Sequence, residues 1–308
     1  MKKKVIIIIL NLLYCSCFSQ TTRKMFVANS ATHEPIEYAC IVFADTAGGT
    51  YSNSKGIFYV SENIEYIEIS SIGYHLKVIN LQKDNDTVFL SPQVYEISET
   101  KILPTKKKRK PVELGHAKEN SHGIMGYRSG DEIAVYIHLD NDENSYKHIK
   151  QVIFNLARKF QLDREDYTSI FKINFYKATE NKEIGELINT EDIVFTSEVL
   201  KSKTKLDVSK YSIYMPENGI FVAIEFVGRI NPTTGAIVDD VINRRVPSIR
   251  VSWKIPNSIV YEKRRFMNSN NAWQKVDKDY DVVKWSKQSY KDLKEDDFYT
   301  PLFSIVLE

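Results

Sequence analysis

Catalysis and metal binding need particular side chains at particular spacings, and this chain offers few of them. His33 precedes Glu34, but Pro35 follows and no second histidine stands where an HExxH helix would place its zinc ligand. His116, His122, His138 and His148 are scattered over joint and strand positions with no ligand spacing. "SNSK", Ser52 to Lys55, has the S-x-x-K spacing, which needs the serine at a helix start with the lysine one turn on. Here the run ends in Gly56 between two β-like stretches, so no nucleophile is assigned. There is no nucleophile-elbow, Walker or dinucleotide motif. The chain is therefore read as non-catalytic and without a cofactor.

Two weaker groups remain as candidates. "DNDEN" places Asp140, Asp142 and Asn144 at alternate positions, like the first half of a calcium loop. Ser145 stands where the turn glycine should be, and Gln151 where the bidentate glutamate should be. A polar hairpin tip is the plainer reading, and no metal is expected. Trp273 and Trp285 lie among polar and charged residues, with Tyr280 and Tyr290 alongside. They either cover a sheet edge as amphipathic rings or form a platform on which sugar rings stack. Trp253 alternates with Val251 and Ile255 and reads as core. Cys40, the one cysteine outside the N-terminal leader, alternates with Tyr38 and Val42 and reads as a small buried residue. Thr46 and Thr87, each in an Asp-Thr-apolar triplet, are possible O-glycosylation acceptors, with Thr46 in its Gly-rich loop the better placed.

The elements that must position these residues are β-strands. Aromatic residues make up 12% of the 308, and Val/Ile-rich runs recur at a spacing typical of sandwiches. The chain opens with "MKKKVIIIILNLLYCSCFSQ", a basic stretch, a short apolar run from Val5 to Leu13, then small and polar residues. That order is a secretory signal, and the run is far below the roughly 20 residues that span a bilayer. Cleavage before Gln20 is expected, with a lipidated Cys17 as the alternative. Loss of Lys2, Lys3 and Lys4 takes the formal charge from +2 to near −1. So balanced a chain has no global electrostatic reason to bind nucleic acid.

Between Arg23 and Leu103 the runs "KMFVAN", "IEYACIVFA", "GIFYVS", "EYIEIS", "HLKVIN" and "TVFLS" are separated by turn residues, "TAGGTYSNSKG" among them. Gly56 is expected at positive φ in its turn, and Gly73 at a strand end where the chain bends. A basic joint holding "KKKRK" follows, and then a longer β-rich stretch. In that stretch "FKINFYKA" alternates Phe171, Ile173 and Phe175 with polar residues, as a half-buried strand does.

The order "EPIEYACIVF", "SNSKGIFYV", "IEISSIGYH", "TVFLSP" resembles the carboxypeptidase-regulatory-like domain, a transthyretin-like sandwich of exported Bacteroidetes proteins. The resemblance implies an accessory sandwich without catalytic residues. The later runs are similar to an uncharacterised jelly-roll-like module that follows this sandwich in such proteins. The expected fold is all-β, a Greek-key sandwich and then a larger jelly-roll-like one. The expected boundaries are a signal peptide over 1–19, the first sandwich over 20–103, a basic linker over 104–122 and the second sandwich over 123–308.

The expected role is a binding or structural module in the periplasm, at the outer membrane or on the cell surface. Its partner would be an envelope or surface polysaccharide or another envelope protein, with no nucleic acid and no membrane span in the mature chain. The alternative is a glycan-active enzyme or carbohydrate binder with its site in the C-terminal sandwich. Paired carboxylates for such chemistry are a spatial fact that sequence does not reveal.

Overall fold

The computed structural model describes residues 22–83, 85–93, 110–139, 148–157, 168–196, 203–238, 248–267, 272–279 and 298–308. Among them every regular element is a strand, apart from one 3-10 turn at Ser209–Tyr211. No helix of the described residues is long and apolar enough to cross a membrane.

The N-terminal strands are β1 (Thr22–Asn29), β2 (Cys40–Phe43), β3 (Gly49–Tyr51), β4 (Ile57–Ser61), β5 (Tyr66–Ser70), β6 (Lys77–Asn80) and β7 (Thr87–Leu90). They form two sheets, β4-β1-β7 and β3-β2-β5-β6. Period-two alternation turns Met25, Val27, Phe58 and Val60 of one sheet toward Ile41, Ile67 and Ile69 of the other, and these close the core. Gly56 ends the turn before β4 at φ 69°, and a Cβ there would lie 2.4 Å from the Val27 carbonyl, so the turn needs glycine. Gly73, at φ 85°, lies in the turn that follows β5, past the strand end at Ser70 where it was expected. The stretch "GTY", read from sequence as part of a turn, instead forms β3 and pairs with β2 from Tyr51↔Cys40 to Gly49↔Val42. Three residues between glycines and polar neighbours carry too short a pattern to stand out.

The second sandwich begins with β8 (Val112–Gly115), β9 (Gly123–Met125), β10 (Asp131–Ile137), β11 (Ile149–Ala157) and β12 (Ser169–Ala178). It continues through β13 (Ile184–Leu187), β14 (Ile193–Thr196), β15 (Lys203–Asp207), β16 (Ile220–Ile230) and β17 (Ile237–Val238). The last strands are β18 (Ser248–Ser252), β19 (Val260–Arg264), β20 (Gln274–Val276), β21 (Thr300–Pro301) and β22 (Phe303–Leu307). One sheet runs β13-β12-β16-β10-β19-β20, joined by β14 and β17. The other runs β21-β18-β11-β22-β8, joined by β15 and β9. Between them Phe154 stacks on Phe195 at 5.9 Å and meets Phe303 edge-on at 4.8 Å. Residues 112–115, assigned to the linker on sequence, belong to this sandwich: β8 pairs with β22, and Leu114 packs on the core.

The N-terminal sandwich docks on the outer face of the eight-stranded sheet. Tyr38, Cys40 and Tyr51 form one apolar cluster with Ile170, Val227 and Ile237. The alternation read around Cys40 is therefore real, but its buried side faces the second sandwich, while Ile41 faces its own core. The same docking corrects the reading of β12. Lys172 and Asn174 do not face water but are buried beneath the neighbouring sandwich, and only Lys177 near the strand end is exposed. Phe266 fills the seam, lying where a Cβ on Gly49 of β3 would come within 2.2 Å of its ring and a Cβ on Gly130 within 2.7 Å.

Candidate functional site

Four charged residues stand in one row across neighbouring strands. Lys172 of β12 opposes Glu225 of β16, Glu225 opposes Glu132 of β10, and Glu132 opposes Lys263 of β19. Each alternates with core residues such as Phe171, Ile224 and Ile133, so all four project from the outer face. Like charges directly opposed on a sheet repel, and Glu132 and Glu225 are almost completely removed from water.

Donors converge on that pair. Arg265, just beyond β19, places Nη2 2.9 Å from Glu132 Oε2 and Nε 3.2 Å from Glu225 Oε1. Asn174 Nδ2 donates to Glu132 Oε1 at 2.7 Å and to Glu225 Oε2 at 2.9 Å. Tyr176 donates its hydroxyl to Glu132 Oε1 at 2.7 Å, and Tyr51 of the N-terminal sandwich donates to Glu225 Oε1 at 2.5 Å. All four carboxylate oxygens are occupied. Burial alone would raise the Glu225 pKa, but Arg265 and Lys172, with the Tyr51 and Asn174 donors, outweigh it and hold the group at about 2. Burial, followed by the Glu225 charge for Tyr51 and the Glu132 charge for Tyr176, keeps both phenols protonated well above their ordinary range.

At the other end of the row, Lys172 Nζ lies 2.9 Å from Asp192 Oδ1 and donates to the Tyr38 carbonyl at 2.8 Å. Asp192, immediately before β14, also meets Ser71 Oγ at 3.5 Å, and burial pushes its carboxyl pKa up. Asn53 adds a bond to the Gly235 carbonyl at 2.9 Å. The Cys40 thiol, beside this network, is pushed up to about 11 by burial and stays protonated at neutral pH, so it is no nucleophile.

Chemically, the pair has the close spacing associated with retaining glycoside hydrolysis, since one amide nitrogen bridges both carboxylates. Its surroundings do not suit that reaction. Both groups are saturated with donors and buried, with Tyr51 bonded to Glu225 and Tyr176 to Glu132, which leaves no face for a sugar ring.

Trp273 is the one member of the aromatic candidate set among the described residues. It is half-buried on the same outer face, edge-on to Tyr176 at 5.4 Å, with Lys263 Nζ 5.5 Å from its ring centroid. Tyr136, Tyr261 and Phe221 continue the patch. Trp285, Tyr280 and Tyr290 lie outside the described residues, as do Asp140, Asp142 and Asn144. Ser52 is buried, its hydroxyl accepting from the Ala39 amide and donating to the Ile36 carbonyl, which is turn architecture. His122 Nδ1 contacts Ser252 Oγ at 2.9 Å and His148 stacks on Tyr214 at 5.0 Å. Among the described residues no three potential ligands group around a metal position.

The charged cluster escaped the sequence reading. The one signal was Glu225, a lone acid within the apolar run "IFVAIEFV", where a charge must be paired if the strand is buried on both faces. No family model, curated protein or solved structure matches this chain.

Proposed function

We propose that the protein is a non-catalytic exported component of the bacterial envelope or cell surface, whose two sandwiches act together as one binding or structural unit. One observation carries this reading: the charged cluster on the outer face of the second sandwich is buried, and it bonds to the first through the Tyr51 hydroxyl and the Tyr38 carbonyl. A charged face spent on an internal joint has none of the free acids or bases that turnover needs. The signal-like leader and the resemblance of residues 22–103 to the carboxypeptidase-regulatory-like sandwich support export, with Gln20 as the mature N-terminus. The test is to incubate the purified mature chain with isolated bacterial envelopes. Retention with no change in the glycan and peptide profile of the envelopes is expected. New hydrolysis products overturn the reading.

Carbohydrate binding is a second reading, favoured by the half-buried Trp273 and the rings of Tyr136 and Tyr261 beside it. Such rings stack on the apolar faces of sugars. Replacing Trp273 and Trp285 by Ala should then abolish retention on envelope or host polysaccharide, and unchanged retention removes this reading.

A further inference from the structure

We propose that Lys172 and Asp192 condense into an intramolecular isopeptide bond that ties β12 to the segment entering β14. The two reacting groups are already in contact, with Nζ 2.9 Å from Oδ1, and the side chains are only 5% and 16% exposed. A carboxylate stands beside them: Glu225 directly opposes Lys172 in the β12–β16 register, and opposed residues have Cβ atoms about 4.5–5.5 Å apart. The three groups feel one another's charge, Lys172 acting on both acids and Glu225 on Asp192. The rest of the pocket is built from the docked sandwich. The Tyr38 carbonyl fixes the Nζ direction, the Tyr51 ring lies 5.9 Å from Nζ, and Ser71 holds the far oxygen of Asp192.

The step balances without any other reagent. Proton transfer within the ion pair converts ammonium and carboxylate into amine and carboxylic acid, and burial favours the neutral form of Asp192. The Nζ lone pair attacks Cγ, forming the C–N bond. Glu225, kept free of a proton by Arg265, stabilises the positive charge growing on nitrogen. The Cγ–O bond to the hydroxyl then breaks, and the proton shed by nitrogen passes to that departing oxygen within the tetrahedral intermediate. One water leaves, one amide remains, and nothing is oxidised or reduced. Desolvation favours the product, since a buried ion pair is replaced by a neutral amide.

Mass spectrometry of the full purified chain, read after denaturation, tests this. The wild type is expected to be lighter by one water than its sequence, with a branched peptide joining the segments that hold Lys172 and Asp192. Lys172→Arg, which keeps the cation but cannot form the amide, should show its full sequence mass. Asp192→Asn should reach the same product by losing ammonia. Glu225→Gln should slow or abolish the linkage. A wild-type chain at full sequence mass, with no branched peptide, overturns the proposal. That reading needs no variant to fold. A branched peptide formed at the same rate in Glu225→Gln overturns the role given to Glu225.

Discussion

Tyr51 of β3 donates its phenolic hydrogen to Glu225 of β16 at 2.5 Å, and this bond joins the smaller sheet system to a buried charge of the larger one. Because Glu225 also binds Arg265 and Asn174, Tyr51→Phe leaves it with partners and should cost about 1–2 kcal/mol. Thermal unfolding measured beside the wild type checks this. Equal melting of the two proteins would mean the bond contributes nothing.

Arg265→Met should be much more damaging, by about 3–5 kcal/mol, because it leaves two buried carboxylates without their cation. Adding Glu132→Gln and Glu225→Gln to the same chain should recover most of that loss. In the single variant Glu225 loses the largest of the effects that offset its burial, so its carboxyl pKa rises. Its deficit should therefore shrink as the pH falls below neutrality. Denaturant titrations at neutral and mildly acidic pH distinguish this from a simple packing defect.

The wild type has the opposite pH dependence at Glu225. Its carboxyl pKa falls from 4.5 to about 2 on folding, so its contribution is fully present above 4.5 and is lost as the pH drops through the folded value. The size is on the order of 3 kcal/mol. Glu225→Gln should flatten the loss of denaturant stability between pH 5 and pH 2 (about the window of the shift). An unchanged slope would place the acid sensitivity elsewhere.

The period-two runs were legible in the sequence because a strand needs only alternation, and Met25, Val27, Ile173 and Phe175 supply it. What lies opposite an alternating face was not legible. Lys172 and Asn174 read as solvent-facing because a polar residue under another sandwich and one under water give the same pattern. Glu132, Glu225 and Arg265 are far apart in sequence and meet only through strand register, which single-sequence reading does not fix.

Residues 20–103 and 104–308 expressed as two separate chains in one cell should co-purify as a one-to-one complex. The seam buries Glu225 and Lys172 of the larger piece, and each takes one further hydrogen bond from the smaller one, at the Tyr51 hydroxyl and the Tyr38 carbonyl. Gel filtration checks this, and Tyr51→Ala in the smaller chain should weaken the complex. Independent elution of the two wild-type pieces would show that the covalent joint, and not the seam, holds them together.

Phe266 rests between Gly49 and Gly130, one from each sandwich, and neither glycine has room for a methyl group. Such a contact constrains descent as well as shape. A lineage that let Gly49 drift to alanine would have to shrink the ring at 266 and move the Ile41 carbonyl in the same step, and a first sandwich borrowed from another gene would arrive without the hollow that the ring requires. The two halves of this protein should therefore be inherited together, and recombination should rarely part them.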